Sequence, residues 1–376
     1  MTKTFKFGAL VAALTMAFAA QATEVTLYGS VSTGLVYKHT NATLEEGQSK
    51  NSYGMESGWY GDSNWGLTGS EELANGWKAG FTLESNFNSD DGTMGESGRL
   101  FDSQAYLTIG NDFVTFAAGR VGALSSGGGD FDLLGGFDPL EAKFGIGGMG
   151  LFASRDITAN NTLAALVTPV EGLTLAGAVS FGVETDGGKW NQNQHYYALA
   201  GNYTTDAFSS SLIWERVTVP GADKDMDFYS FGVSYDFGMI KPMFAYQRGQ
   251  NLLTAGGAYA GLLEDEKFAR KVAAAHPNLD SFLIGATAPV GAGTLMVSYQ
   301  YMTGKAHSFT FEGEDYDSSK FNAHVVGVAY DYPLSNRTSI YTGATWAKGG
   351  KSLSKDKPNN ADFNGYQFGV GLKHTF

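Results

Sequence analysis

Tyr366, Phe368, Val370, Leu372 and Phe376 fall on alternate positions of the last eleven residues. An extended chain there puts them on one face, with Gln367, Gly369, Gly371, Lys373 and Thr375 on the other. One face suits lipid and the other water, and His374 is the single misfit on the apolar side. The alternation recurs at Tyr229, Phe231, Val233, Tyr235 and Phe237 against Ser230, Gly232, Ser234 and Asp236. It returns at Trp77, Ala79, Phe81 and Leu83 against Lys78, Gly80, Thr82 and Glu84, and at Val25, Leu27, Gly29 and Val31 against Thr26, Tyr28, Ser30 and Ser32. A strand that crosses a bilayer needs about 9 to 11 residues, a length these segments approach. The pattern predicts about sixteen strands, from 25–38 to 363–376. Those at 195–204, 209–218 and 338–347 are the least regular.

Tight turns bearing Gly, Pro or Asn, at 72–76, 110–112, 169–172, 236–238, 289–293 and 332–336, alternate with long connections near 39–63, 122–154, 251–279, 305–320 and 348–362. Short turns at one rim and long loops at the other describe an all-β, transmembrane antiparallel β-barrel. The stretch 262–275 favours a helix, ended by His276-Pro277, and is expected inside a long external loop. No apolar run of 18 residues follows the amino-terminal segment, which excludes a helical membrane protein. Hydrocarbon leaves no backbone polar group unpaired, so the sheet has to close on itself. About sixteen strands then enclose an aqueous lumen too wide for wall side chains to fill. Such a barrel is by default a channel.

The ends and composition agree. Residues 1–22 carry Lys3 and Lys6, a short apolar stretch and Ala20-Gln21-Ala22, the form of a cleaved export signal, leaving 23–376 as one barrel domain. The formal charge is −13 before the two signal lysines are lost, and no nucleic-acid partner is expected. With no cysteine there are no disulfides, thiol nucleophiles or thiolate metal sites. Glycine, at 51 residues, is about twice its usual frequency but has no three-residue period, which excludes collagen. Trp77, Tyr106, Tyr235, Tyr330 and Phe376 are expected in interfacial aromatic girdles, whereas Tyr28 belongs to the inward set.

A set of motifs in order resembles the Gram-negative general porins of the beta-proteobacterial and neisserial type, over essentially the whole mature chain. They are Val25-Thr-Leu-Tyr-Gly29, Gly66-Leu-Thr-Gly-Ser-Glu-Glu-Leu-Ala-Asn-Gly-Trp-Lys-Ala-Gly-Phe-Thr-Leu-Glu84, Gln104-Ala-Tyr-Leu107, Gly119-Arg120, Ser234-Tyr-Asp-Phe-Gly238, Pro289-Val-Gly-Ala-Gly-Thr294 and Gly371-Leu-Lys-His-Thr-Phe376. The resemblance implies a sixteen-stranded homotrimer in outer-membrane lipid, passing small polar solutes and inorganic ions. It also implies a third external loop, here about 122–154, folded inward to narrow each lumen. That loop carries Asp130, Asp132, Asp138 and Glu141 against the single Lys143, and these four acids are the expected constriction residues. Arg120, Arg155 and Lys78 are the expected basic wall residues. The chain departs from the family at Asn64, Thr68 and Ser103, where basic residues are usual. A thinned cationic cluster leads to an expected preference for cations. The Debye length at physiological salt is about 8 Å, comparable with an eyelet, so loop carboxylates act on a passing ion with little screening.

Other chemistry is weaker. Gly145-Ile-Gly-Gly-Met-Gly150 spells a dinucleotide fingerprint, but no buried strand precedes it and no helix follows, so no cofactor is expected. Ser352-Leu-Ser-Lys355 lacks the companion motifs of its enzyme class. The six histidines show no ligand spacing, and Asp90-Asp91 and Asp130-Phe-Asp132 lack the rest of a calcium loop, so no metal is expected. No catalytic residues are expected and the protein is not read as an enzyme. The rival readings are an outer-membrane barrel enzyme with its site on the loops, and an adhesin or receptor barrel plugged by them.

Overall fold

Period-two segments long enough to cross a bilayer pair with their neighbours in sequence, and the first pairs with the last, which completes a ring. The computed structural model describes residues 24–40, 50–155, 157–183, 189–253, 274–350 and 364–376. In chain order the strands are β1 (Glu24–Thr40), β2 (Asn51–Ser57), β3 (Asn64–Glu72), β4 (Lys78–Asn86), β5 (Gln104–Gly110), β6 (Val114–Gly122), β7 (Thr158–Val170) and β8 (Leu173–Ser180). They continue with β9 (Tyr196–Thr204), β10 (Phe208–Val217), β11 (Met226–Tyr235), β12 (Lys241–Gln250), β13 (Asn278–Val290) and β14 (Gly293–Ala306). The last are β15 (Phe309–Phe311), β16 (Glu314–Tyr316), β17 (Ser319–Pro333), β18 (Thr338–Gly350) and β19 (Asn364–Thr375). Sixteen of these build a closed antiparallel wall. β15 and β16 form a small separate hairpin, and β2 adds to the upper part of β1.

Closure is made by the chain ends. β1 pairs with β19 from Ser30↔Thr375 to Thr40↔Gly365 on one edge, and with β3 from Glu24↔Ser70 to Ser30↔Asn64 on the other. The last residue completes the seam: Phe376 N donates to Gly29 O at 3.0 Å and Gly29 N to Phe376 O at 3.3 Å. On β19 the aromatic and aliphatic set Tyr366, Phe368, Val370 and Leu372 faces outward and exposed, as its alternation predicts. His374 on that face hydrogen-bonds Thr338 Oγ1 through Nδ1 at 2.9 Å, which satisfies the misfit. At the β3–β4 turn, Asn75 and Gly76 both adopt left-handed backbone, with φ 60° and 75°, the pairing that Asn-Gly accepts most readily.

The three least regular segments form β9, β10 and β18. Two of the departures from the expected strands have a clear physical reason. The strand expected at 98–110 begins only at Gln104, because Asp102 Oδ1 is bound by Asn86 N at 2.7 Å and Asp102 O by Arg120 Nε at 2.8 Å, which turns the chain into the lumen. β2 arises inside the expected 39–63 loop because β1 runs beyond β3 and needs a second edge partner. The export signal, nearly all of the 262–275 helix and the Ser352–Lys355 motif lie outside the described residues.

The inner face is not uniformly wet. Ser230 faces inward as the alternation implies, but so do Ile213, Phe228, Leu283, Met302 and Val325, all buried. They are covered by the connection between β6 and β7, residues 123–157, which lies across the lumen. Glycine makes room for it. A Cβ at Gly232, Gly285, Gly327 or Gly343 would run into Phe137, Pro139, Leu140 or Phe144 respectively. These four wall glycines form a seat for the loop.

Candidate functional site: the constricted passage

The 123–157 segment divides its residues by side. Leu124, Phe131, Leu134, Phe137, Leu140, Phe144, Met149, Leu151 and Phe152 are buried against the wall. Its main chain is held by wall side chains from successive strands. Tyr196 Oη accepts from Leu124 N at 2.9 Å and donates to Glu215 at 2.6 Å, and the fully buried Glu215 also accepts from Ser125 N at 3.2 Å and from Ser125 Oγ. Gln247 Oε1 accepts from Ser154 N at 3.1 Å, while Gln300 accepts from Leu151 N at 3.1 Å and donates to Gly147 O at 2.5 Å. Each bond satisfies a loop group that would otherwise be buried unpaired. The Gly145–Gly150 stretch serves the same end: Arg155 donates to Ala142 O, Gly145 O and Gly148 O at 2.9, 3.0 and 2.9 Å. The dinucleotide-like letters spell a turn whose carbonyls wrap a guanidinium.

Opposite the packed side the lumen stays open as a cavity of about 550 Å³ between the segment and the wall of β3 to β7. Its lining carries Asp62, Glu84, Glu96, Asp102 and Asp130 against Arg120, Lys143 and Arg155. Glu84 accepts from Tyr28 Oη at 3.0 Å and Ser103 Oγ at 2.6 Å, which holds its carboxylate on the wall. Asp130 accepts from Tyr106 Oη, and its backbone N–H donates to Gln104 Oε1 at 2.9 Å. The cations are engaged as well. Arg120 Nη2 lies 3.6 Å from Glu96, and Lys143 Nζ lies 3.2 Å from Asp62. Asn64 and Ser103, two of the positions where the family usually carries a basic residue, both line this cavity.

The expected residues are thus only partly together. Asp130, Arg120 and Arg155 line the cavity. Asp132 and Asp138 do not: their carboxylates turn back into the segment as caps. Asp132 accepts from Gly127 N, Leu134 N and Gly135 N at 3.0, 3.3 and 2.7 Å, and Asp138 from Leu140 N and Ala142 N at 3.0 and 2.9 Å. Burial pushes each up to about 6, against the opposing pull of those N–H groups. Glu141 is exposed, in left-handed backbone at φ 53°, and is not among the lining residues. Lys78 is not on the passage wall either; it sits at the opposite rim, 3.0 Å from Glu72 across the tight β3–β4 turn. Tyr106, expected in a girdle, points inward and is buried. Asp91 is used by its own turn, accepting from Thr93 N and Oγ1 at 2.8 and 2.6 Å. Sequence reasoning missed Asp62, Glu96, Asp102 and Lys143 as lining residues. Glu84 was recoverable, since it shares the polar phase of β4 with Thr82.

Residues 9–352 match the family model for Gram-negative porins. The chain belongs to the Gram-negative porin family. This porin is 29% identical to an outer membrane porin protein of Bordetella pertussis across the whole of both chains, and 27% identical to outer membrane porin protein 32 of Delftia acidovorans over 94% of each. Among solved structures it resembles an anion-selective porin from Comamonas acidovorans, with TM-score 0.68 and 25% identity over 94% of this chain and all of that one. The porin is an outer-membrane channel protein.

Proposed function

We propose that this porin lets small hydrophilic solutes and inorganic ions cross the outer membrane passively, without catalysis, and that it favours cations. The observation that supports the preference is the charge on the passage: five carboxylates against three cations. Two of those cations face a carboxylate on the same lining, Arg120 with Glu96 and Lys143 with Asp62, and Arg155 is wrapped by loop carbonyls. Glu84, Asp102 and Asp130 then outnumber the remaining charge of Arg155, which leaves the lining net negative. The Comamonas acidovorans porin is anion-selective by name, and the difference is read from this chain's own lining, including the neutral Asn64 and Ser103. Carboxylates separated by less than a Debye length add their fields in the passage. Reversal potentials across a KCl gradient in a planar bilayer test the reading. A cation-favouring sign is expected, and an anion-favouring sign overturns it. The working form proposed is a homotrimer, exported by its cleaved 1–22 signal. Cross-linking in detergent without heating checks the assembly, and amino-terminal sequencing of the mature protein checks the cleavage.

A further inference from the structure

The passage has a second inward-folded wall beside the 123–157 segment. Between β2 and β3 the 58–63 turn bends into the lumen and meets the tip of the 123–157 segment. Phe144 N donates to Trp59 O at 2.6 Å. The Phe144 ring stacks on Tyr60 at 4.6 Å and meets Trp59 edge-on at 5.2 Å, and all three rings are buried, Phe144 completely. Phe144 adopts φ 59°, a strained conformation for an aromatic residue that persists only where its surroundings impose it. The next residue, Gly145, has φ 61°, and a Cβ on it would come within 2.5 Å of Gln367 Oε1 and 3.3 Å of Trp59 Nε1. The turn is itself fixed to β1: Ser32 N donates to Ser63 Oγ at 3.0 Å, Ser32 Oγ to Tyr60 O at 3.1 Å and Gly58 N to Ser32 O at 2.9 Å. Lys373 Nζ lies 4.7 Å from the Tyr60 ring centroid.

Directly beside this clamp, Lys143 and Asp62 pair across the lining of the passage at 3.2 Å. An exposed pair of this kind is weak by itself, about 0–1 kcal/mol, so it cannot be what positions the tip. The apolar contact of Trp59 and Tyr60 with Phe144 is the stronger element, since buried aromatic pairs add to what area burial already supplies. We propose that the 58–63 turn positions the tip of the constriction segment, so that the Trp59–Tyr60–Phe144 clamp sets the bore while Asp62, set against Lys143, tunes which ions pass. The inference rests on the channel reading, and it makes two loops rather than one responsible for the constriction.

Single-channel recordings of Trp59→Ala and Trp59→Phe test the clamp, with folding checked by mobility on an unheated gel. Trp59→Ala should raise the conductance and the open-channel noise, and Trp59→Phe should stay near wild type. Asp62→Asn and Lys143→Gln should both raise conductance, because either breaks the pair, while moving the reversal potential in opposite senses. Unchanged conductance in Trp59→Ala overturns the clamp, and conductance changes of opposite sign in the two charge variants overturn the pairing. A readout independent of conduction uses the lack of native cysteine: a short bis-methanethiosulfonate, which loses a sulfinate at each thiol it captures, should join Asp62→Cys to Lys143→Cys within one chain. Failure to cross-link overturns the proposal. Should wild-type protein give no channel steps, the channel reading falls, and the cross-link still decides whether the turn holds the tip.

Discussion

Glu215 shows how much a single residue can hold without touching a solute. It is a carboxylate buried inside the barrel wall, and it accepts from Ser125 N, Ser125 Oγ and Tyr196 Oη. Removing it leaves buried donors unpaired, at about 1–3 kcal/mol for each. Glu215→Ala is expected to lower the unfolding temperature in detergent and to expose residues 123–157 to protease, with Glu215→Gln much closer to wild type. Asp132 and Asp138 make stability depend on pH. Their folded values near 6 lie above the usual carboxyl range, so between about pH 4 and 6 the native protein holds protons that the unfolded chain releases. Stability from these two groups therefore rises as pH falls through 6, levels off near pH 4 and is lowest at neutral pH. At about 1.4 kcal/mol per pKa unit, each costs about 3 kcal/mol at pH 7. Thermal unfolding of wild type and Asp138→Asn between pH 4 and 8 checks this, and the variant should show the smaller decline with rising pH.

At the scale of elements, alternation decided the strands and glycine decided where the loop could lie. Gly232 on β11 was read in the sequence as part of a small, wet face. Its inward direction is right, but what it faces is the Phe137 ring, not water. The period-two pattern reports which side of a strand a residue takes, and it carries no information about what will cover that side. Phe137 is buried and has little room to move, so even one methyl at position 232 overpacks the seat, at about 1–3 kcal/mol. Gly232→Ala is expected to shift the loop and leave the barrel closed. That means retained unheated-gel mobility, faster proteolysis within 123–157 and altered single-channel conductance. Glu84 shows the converse case: its inward placement follows from the phase of β4 alone.

The whole molecule decides selectivity, because the charges that meet in the passage come from parts of the chain far apart in sequence. Asp62 precedes β3, Glu84 is on β4, Asp102 precedes β5, Arg120 is on β6 and Asp130 and Lys143 are on the inward segment. Only ring closure puts them around one cavity. Their summed field, not any one pair, sets the expected sign of the reversal potential. It should therefore weaken together at high salt: at 1 M the Debye length is about 3 Å, and the cation preference measured at low salt is expected to approach zero in the same bilayer experiment.

The amino-acid order alone determined the barrel and its approximate strand count, while the inward loop's place in the chain came from the resemblance to the porins. Sidedness toward lipid and water repeats every second residue and is imposed locally, and hydrocarbon forces the sheet to close. The passage chemistry was decided by tertiary structure. A carboxylate on a loop can face the lumen, as Asp130 does, or cap its own backbone, as Asp132 and Asp138 do, and the choice depends on which N–H groups the folded segment leaves unpaired.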